Sequence, residues 1–240
     1  MKLIRLLPPL LAVFALLMLL AAGPGTRLGL WDFSFGFTLM RWALYVGLAA
    51  AAVALLLAVI PATRRKNLFA LGAAFVIGLG VAVIPYLLVQ QARSVPRIHD
   101  ITTDTRNPPA FVAIAPLRAN APNPVEYPGE EVAIEQRQAY PEITTFTTDL
   151  YPSIVFDHAE AVVQTLRWEL VDSDREAGRI EATDTTTWFG FKDDVVIRIQ
   201  GSDAGSLVDV RSKSRVGMSD VGANAARIQR FLDALEERVH

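Results

Sequence analysis

Residues 207–216 read LVDVRSKSRV, a stretch in which side-chain polarity alternates from one residue to the next. One set of alternate positions is apolar or small and the other is charged, namely Val208, Val210, Ser212, Ser214 and Val216 against Asp209, Arg211, Lys213 and Arg215. Successive side chains of a strand point to opposite faces of its sheet. The stretch therefore predicts a strand in an antiparallel sheet that is covered on one face only.

Strand and turn signals precede this stretch, and a helix signal follows it. Three earlier segments have strand character, Trp168–Val171, Arg179–Trp188 and Val195–Gln200, and glycine-containing turns separate them. Downstream, Ser219 or Asp220 is placed to cap a helix. The apolar stripe of that helix would consist of Val221, Ala225, Ile228, Leu232, Leu235 and Val239.

A second helix is predicted to start at Asp157, because Asp157 and Glu160 have the spacing of a capping box. The element order over residues 156–240 is then α-β-β-β-β-α. This order predicts a two-layer α+β core, an antiparallel four-stranded meander with two helices on one face. Residues 93–155 contain nine prolines, which interrupt long helices. We expect them to form a proline-rich extended segment packed on the domain, with a short helix around Glu130–Ala139.

Residues 1–92 contain three uncharged apolar runs, Leu6–Thr26, Trp42–Thr63 and Asn67–Ala92. A helix needs about 20 apolar residues to cross a hydrocarbon core of about 30 Å. The runs predict an α-helical membrane region with three transmembrane helices, at about 6–24, 40–61 and 68–90. Residues 1–92 hold seven basic side chains and one acid, whereas residues 93–240 hold 16 basic and 24 acidic ones. This change of charge predicts a domain boundary near residue 92.

The first apolar run has two interpretations. Lys2 and Arg5 before it and Ala21-Ala22-Gly23 after it are typical of a cleaved signal peptide. Pro24 follows directly and disfavours cleavage, so a retained membrane anchor is the preferred interpretation.

Basic residues in short loops indicate which membrane face is cytoplasmic. The side that holds the N-terminus and the loop between the second and third runs carries Lys2, Arg5, Arg64, Arg65 and Lys66; the other carries Arg27 and Arg41, offset by Asp32. We therefore expect a protein of the inner, cytoplasmic membrane, with its N-terminus in the cytoplasm and its soluble domain exported to the periplasm.

Several function classes are disfavoured by composition. The acidic soluble half argues against nucleic acid, which needs a basic surface. The chain has no cysteine, so thiolate catalysis and cysteine-bound metals are excluded. No apolar run carries a charge near its middle, which argues against transport. The aromatic residues between the first two runs favour an interfacial belt over a cofactor pocket, and no cofactor is expected: Trp31, Phe33, Phe35, Phe37 and Trp42.

Two stretches carry a family resemblance, 188–199 (WFGFKDDVVIRI) and 208–217 (VDVRSKSRVG) followed by Ser219, Asp220 and Asn224. The earlier stretches 99–104 (HDITTD), 108–111 (PPAF) and 127–129 (YPG) fit the same pattern. Over residues 97–238 the chain resembles domain of unknown function 1499. The resemblance implies a bacterial or plastid envelope setting, often behind N-terminal membrane helices, and it implies no activity.

Three groups of residues are candidate sites. Arg211 and Arg215, leading into Ser219 and Asp220 at a helix N-terminus, could form an anion pocket for a ligand; the alternative is a solvated strand face beside an ordinary cap. The aromatic tip Trp188, Phe189 and Phe191 could contact lipid, the chain's own helices or a partner, unless the proline-rich segment buries it.

The third group comprises Asp100, Asp104, Asp193 and Asp194 with His99, weak candidates for a metal or for acid–base catalysis. Their spacing matches no known metal loop, and surface charge and turn caps account for them. Ser219 does not fit a G-x-S-x-G elbow. We expect a non-enzymatic envelope protein whose partners are the lipid bilayer and an envelope protein or lipid. The alternative is a metal- or carboxylate-dependent hydrolase acting on an envelope lipid or glycan.

Overall fold

The computed structural model describes residues 2–239, and within this range it does not describe the side chains of residues 2–4, 62 and 64–66. Of the basic residues on which the expected orientation depends, Lys2, Arg64, Arg65 and Lys66 are outside the described side chains. The chain divides into two compact units. The helical unit is formed by Met1–Gln91 with Thr187–Gly190, and the sheet unit by Ala92–Thr186 with Phe191–His240.

Three apolar helices make up most of the helical unit: α1 (Lys2–Arg27), α2 (Phe33–Val59) and α3 (Pro61–Ser94). The spans Arg5–Arg27, Phe33–Val59 and Asn67–Ser94 are long and apolar enough to cross a membrane, with mean hydropathies of 2.4, 2.3 and 2.4. The prediction of three N-terminal apolar helices is confirmed. Helix α2 begins earlier than expected, because the Asp32 carboxylate accepts a hydrogen bond from the Ser34 N–H at 2.9 Å. The phenylalanines of the expected connection therefore lie in the first turns of α2.

Small residues bring α2 and α3 into close contact. A Cβ added to Gly47 would lie 2.6 Å from the Gly78 carbonyl oxygen, and one added to Gly78 would lie 2.5 Å from the Gly47 carbonyl oxygen. Buried alanines on both helices, Ala50, Ala54 and Ala74, continue this contact. Small side chains allow two backbones to approach, which is the usual way in which helices pack in a membrane.

The sheet unit contains four helices and six strands. The helices are α4 (Ile114–Leu117), α5 (Glu130–Ala139), α6 (Pro152–Thr165) and α7 (Ala223–Val239). The strands are β1 (Asp100–Thr102), β2 (Phe146–Thr148), β3 (Glu169–Asp174), β4 (Arg179–Thr185), β5 (Lys192–Ser202) and β6 (Gly205–Ser214).

All strand pairs are antiparallel, in the order β1-β6-β5-β4-β3, and β2 also pairs with β6. The expectation of a four-stranded sheet is wrong, because the sheet has six strands. The two missed strands have three residues each and lie in the proline-rich segment. Strands this short show no alternation that a sequence pattern could reveal.

The predicted start of α6 is also wrong. The helix begins at Pro152, whose fixed φ suits the first helical turn and whose missing N–H costs nothing there. Asp157 lies inside the helix and forms an ion pair with Arg175. At α7, Asp220 accepts hydrogen bonds from the Gly222 and Asn224 N–H groups at 2.8 and 3.0 Å, so it caps the helix as expected.

Helices α6 and α7 cover one face of the sheet with an apolar core. Buried residues there include Val155 and Val163 of α6, Ile228 and Phe231 of α7, and alternate residues of β4, β5 and β6. Trp168 stacks on Phe231 with ring centroids 5.9 Å apart. The prediction of an antiparallel sheet domain with helices is confirmed at this level.

The second face of the sheet is also covered, which contradicts the expectation of a solvated charged face. Phe111, Ile114 and Val125 of the proline-rich segment pack against Val196 of β5. On this face Arg211 is 3% exposed and Lys213 is fully buried. The period-two pattern was interpreted as a strand whose charged face is exposed to solvent. In the structure these charged side chains are buried together with the groups that they pair with.

Candidate functional site

The charged face of the sheet is centred on a buried ion-pair cluster around Asp100. Lys213 Nζ donates to Asp100 Oδ2 at 2.8 Å. The Arg211 guanidinium donates to both carboxylate oxygens of Asp100, from Nε to Oδ1 and from Nη2 to Oδ2, each at 2.9 Å. Charge-assisted, two-pronged contacts of this kind are among the strongest in proteins and fix the orientation of both groups.

A second cluster surrounds Asp194 on β5. Arg215 donates to its two carboxylate oxygens, each at 2.8 Å, and Arg118 Nη1 donates to Oδ2 at 3.2 Å. The Thr183 hydroxyl donates to Asp194 Oδ1 at 2.8 Å. Asp194 and Asp100 are both register partners of Lys213, on opposite sides of β6. The two clusters are therefore adjacent rows of one buried charged layer.

Main-chain carbonyl groups of the proline-rich segment accept further hydrogen bonds from these cations. Arg211 donates to Pro109 O at 3.1 Å and to Val125 O at 2.9 Å, and Lys213 donates to Glu126 O at 2.6 Å. The Phe111 ring lies under two guanidinium groups, 5.0 Å from that of Arg211 and 5.7 Å from that of Arg118. These contacts hold the segment on the sheet.

Glu181 on β4 fixes the start of α4. Its carboxylate is fully buried and accepts hydrogen bonds from three consecutive backbone N–H groups, those of Val112, Ala113 and Ile114, at 2.8, 3.1 and 2.8 Å. Arg179 Nε lies 3.0 Å from Glu181 Oε1. A carboxylate that accepts hydrogen bonds from several backbone N–H groups stabilises a turn whose N–H groups are not paired with a neighbouring strand.

Burial shifts the pKa of several groups in this layer. It lowers the pKa of Lys213, which the nearby Asp100 carboxylate partly restores. Burial also lowers the pKa of Arg118 and of His99, and the charge of Lys213 lowers the His99 pKa further. Burial raises the pKa of Tyr127 to about 12. The protonation states of the layer therefore depend on the fold being intact.

A third cluster lies on the α7 side of the sheet. Arg227 donates to Asp193 Oδ2 at 2.7 Å, to Asp184 Oδ2 at 2.9 Å and to Asn224 Oδ1 at 2.6 Å. Asn224 in turn donates to the His99 carbonyl oxygen at 3.0 Å. This cluster joins α7 to β5 and to the residue that precedes β1.

The four predicted ligand-binding residues lie in two separate environments. Arg211 binds Asp100 in the interior, whereas Arg215, whose side chain is 19% exposed, binds Asp194. Ser219 and Asp220 lie before α7, where the Ser219 hydroxyl accepts from the Val221 N–H at 3.2 Å. The carboxylate of Asp220 occupies the N–H groups that an anion would need, and burial raises its pKa.

The four aspartates proposed as weak metal candidates are divided among different cations. Asp100 pairs with Arg211 and Lys213, and Asp194 pairs with Arg118 and Arg215. Asp193 pairs with Arg227 and Asp104 with Arg198. Within residues 2–239, no three His, Asp or Glu side chains converge in a group that could hold a metal ion. Asp193 and Asp194 are neighbours in β5 and so point to opposite faces.

The aromatic tip is divided between the two units. Thr187–Gly190, with Trp188 and Phe189, belongs to the helical unit, where the Phe189 ring centroid lies 5.1 Å from that of Phe37. Phe191 belongs to the sheet unit, and its N–H donates to the Thr186 hydroxyl at 2.9 Å. That Trp188, Phe189 and Phe191 contact a partner or a membrane stays a prediction.

Sequence reasoning missed the residues that complete the clusters. Arg118 and Glu181 were not singled out, and Arg227 lies in a helix whose apolar stripe alone was considered. No local signal marks them, since each also has partners that are distant in the sequence, such as the Val112–Ile114 backbone for Glu181. Two shallow depressions, of about 260 and 330 Å³, lie elsewhere, one beside Phe156 and Arg175 and the other between Thr145 and Asp233.

Comparison with known families gives one match. Residues 100–235 match the family described as "Protein of unknown function (DUF1499)", which agrees with the resemblance found over residues 97–238. The matched region begins with Asp100 and includes the residues of the charged layer described above, except His99. No curated protein matches the chain.

Proposed function

Because the chain belongs to the DUF1499 family, whose description names no activity, we propose its function from the geometry of its own residues. The proposed function is that of a membrane-anchored, non-enzymatic domain that binds a protein partner or an amphipathic ligand. In this proposal the buried charges keep the domain rigid, and its exposed surface binds the partner or ligand.

One observation carries this proposal: the reactive side chains of the charged layer are matched to the domain's own groups. Asp100, Asp194 and Glu181 are each fully buried, and their acceptor oxygens receive N–H and hydroxyl donors of the same chain. A catalytic carboxylate needs access to substrate and a tuned proton affinity. Carboxylates engaged in this way act instead as fixed counter-charges that hold the proline-rich segment.

The segment held in this way presents apolar side chains at the surface. Val112 and Leu117, on either side of the α4 turn, are 53% and 59% exposed. Both lie beside a backbone that Glu181 fixes at three N–H groups. A rigid apolar projection loses little entropy on binding, which favours recognition of a protein surface. We place the partner contact at Val112 and Leu117.

The test is native mass spectrometry and chemical cross-linking of the full-length chain, solubilised from its own membrane. We expect the wild type to carry a protein partner or a lipid, and the pair Val112→Asp and Leu117→Asp to lose a protein partner. Ile134→Asp, on the exposed face of α5, is the matched control. A bound divalent cation, or a complex that survives the double substitution unchanged, would contradict the proposal.

We also propose the inner, cytoplasmic membrane as the location, with the N-terminus in the cytoplasm and the sheet unit in the periplasm. The support is the excess of basic residues before the first run and between the second and third. Single cysteines test this cleanly, since the chain has none of its own. A membrane-impermeant maleimide should label Asp203→Cys in intact cells and should label Lys66→Cys only after lysis. The reverse pattern refutes the orientation.

No observation favours the alternative of a metal- or carboxylate-dependent hydrolase. The four aspartates that it would use are held by different cations on two faces of the sheet. We therefore do not propose it.

A further inference from the structure

The last turns of α1 contain the sequence Ala22-Gly23-Pro24-Gly25, and both glycines are buried. Each faces an indole ring. A Cβ added to Gly25 would overlap the ring of Trp31, and a Cβ added to Gly23 would overlap the ring of Trp188. Any larger residue at these two positions would displace a tryptophan. The glycines thus form notches that fit aromatic side chains.

The first turns of α2 contribute to the same aromatic packing. A Cβ added to Gly36 would lie 2.9 Å from Cε1 of Phe189. The Phe189 ring packs against the apolar cluster of α1 and α2 that includes Leu19 and Met40, and it lies 5.1 Å from the ring of Phe37. Phe189 therefore fills a place that the helix side chains leave open.

Arg27, the last residue of α1, adds a hydrogen bond and an aliphatic contact to this packing. Its guanidinium donates a hydrogen bond to the Thr187 carbonyl oxygen. Its aliphatic stem faces Gly190, where an added Cβ would lie 2.9 Å from Arg27 Cγ. Gly190 has a φ of 72°, a left-handed conformation in which a side chain is strained. Shape, an aromatic contact and a polar contact thus converge on Thr187–Gly190.

From these contacts we infer that the end of α1 and the start of α2 form a glycine-lined socket, built to hold Trp188 and Phe189 of the same chain. The aromatic cluster at this end of the helices is then a binding site whose ligand is the loop Thr187–Gly190, and not a belt directed only at lipid headgroups. The inference is independent of the proposed binding function. It also reserves Phe189 from contact with an outside partner, whereas Trp188 keeps 42% of its surface exposed.

Other occupants would leave different signs. A lipid chain could fill the notches at Gly23 and Gly36, and the loop of a second copy could fill them in a dimer. The chain's own loop is favoured because the Arg27 hydrogen bond to the Thr187 carbonyl oxygen and the Gly190 contact fix its main chain. The chain's own loop and the loop of a second copy differ in one measurable respect, which is whether a cross-link joins one chain or two.

Cysteine cross-linking in the full-length, membrane-embedded chain tests the inference without background, since the chain contains no cysteine. The added Cβ of Gly190 lies 3.3 Å from the Arg27 Cβ, close to the separation of about 3.8 Å found in disulfides. We expect Arg27→Cys with Gly190→Cys to form a disulfide within one chain. The control is Phe69→Cys with Gly190→Cys, because Phe69 is 91% exposed on α3. It should form none.

A second cysteine pair does not involve Gly190, where a side chain is strained. Phe37→Cys with Phe189→Cys should be joined within one chain by a short bismaleimide. Adding Gly23→Leu to either pair should lower the cross-link yield by about tenfold, since overpacking displaces the loop. Gly72→Leu, at a helix position with nothing within 4 Å, should leave the yield unchanged. Cross-linked dimers, a yield insensitive to Gly23→Leu, or failure of both pairs would each overturn the inference.

Discussion

The ammonium group of Lys213 and the carboxylate of Asp100 lie 2.8 Å apart between β6 and β1, and neither side chain has any solvent exposure. Asp100 also neutralises Arg211, so one carboxylate serves two buried cations. Loss of this carboxylate is far more costly than loss of either cation, because it leaves two charges without a partner in the interior.

Asp100→Ala should therefore lower the free energy of unfolding by about 3–5 kcal/mol. Lys213→Met should cost about 1 kcal/mol or less, because Asp100 keeps both hydrogen bonds from Arg211. Urea unfolding of the full-length chain in detergent, followed through the fluorescence of buried Trp168, measures both. Equal losses for the two variants would show that the carboxylate does not have this double role.

Lys213 also predicts a dependence of stability on pH. Burial lowers its pKa in the folded state below the ordinary value of 10.5, so the unfolded chain binds more protons between the two values. Stability contributed through this group should rise as pH increases across that window. Lys213→Met should abolish the rise. An unchanged slope in the variant would assign the pH dependence to other groups.

Tyr127 should show the opposite sign at higher pH. Burial raises its pKa from 10.0 to about 12, so the folded chain holds the phenolic proton longer and stability falls as pH rises between these values. Among the described residues its buried hydroxyl has no hydrogen-bond partner. Tyr127→Phe should therefore change stability at pH 7 by less than about 0.5 kcal/mol and remove the alkaline fall. Ultraviolet titration of wild type minus variant gives the pKa directly.

Glu181→Gln should loosen the α4 turn without unfolding the sheet. Hydrogen bonds to a charged acceptor contribute about 1.5–3 kcal/mol, and Glu181 accepts three from this turn. We expect amide hydrogen exchange at Val112, Ala113 and Ile114 to accelerate by about tenfold or more. Glu176→Gln, an exposed residue in the β3–β4 turn, is the control. Similar acceleration in the control, or throughout the sheet, would contradict a local role.

Asp220→Asn should distinguish two effects of Asp220 on stability, which are the capping of α7 and the charge of the buried carboxylate. Asparagine caps helices as well as aspartate does, whereas Asp220→Ala should cost about 1 kcal/mol. Burial raises the pKa of Asp220 above 3.8, so the folded state binds more protons and the wild type loses stability as pH rises through the raised pKa. At pH 7 Asp220→Asn should thus be at least as stable as the wild type. Chemical denaturation at pH 4 and pH 7 compares them.

Sequence patterns revealed the longer elements of this fold and the short helix at Glu130–Ala139, but not the three-residue strands. The alternation of β6 and the apolar stripe of α7 depend on neighbouring residues, and both lie close to where they were expected. Strands β1 and β2 depend on pairing with β6, which no local pattern records. For the same reason Arg211 and Lys213 were assigned to a solvated face, since their partner Asp100 lies on a distant strand.

The candidate sites failed to converge for a related reason. A charge pattern gives the positions of ionisable groups but not their partners. Asp193 and Asp194 are adjacent in sequence, yet one binds Arg227 of α7 and the other binds Arg118 of the proline-rich segment. Both lie in β5, which begins at Lys192, before the predicted start at Val195, and neighbouring residues of a strand point to opposite faces.

The position of β6 has a consequence for biosynthesis. Among the described strands it is the last in the chain, yet it pairs with β1, β2 and β5, and Lys213 meets an Asp100 that was translated 113 residues earlier. Until β6 arrives, β1 and β2 have no neighbouring strand, and Asp100 lacks its partners Arg211 and Lys213 from that strand. Such distant pairings fold slowly. A nascent chain halted before residue 205 would lack the strand that pairs with β1, β2 and β5, so the sheet would stay open and vulnerable to proteases until that strand arrives.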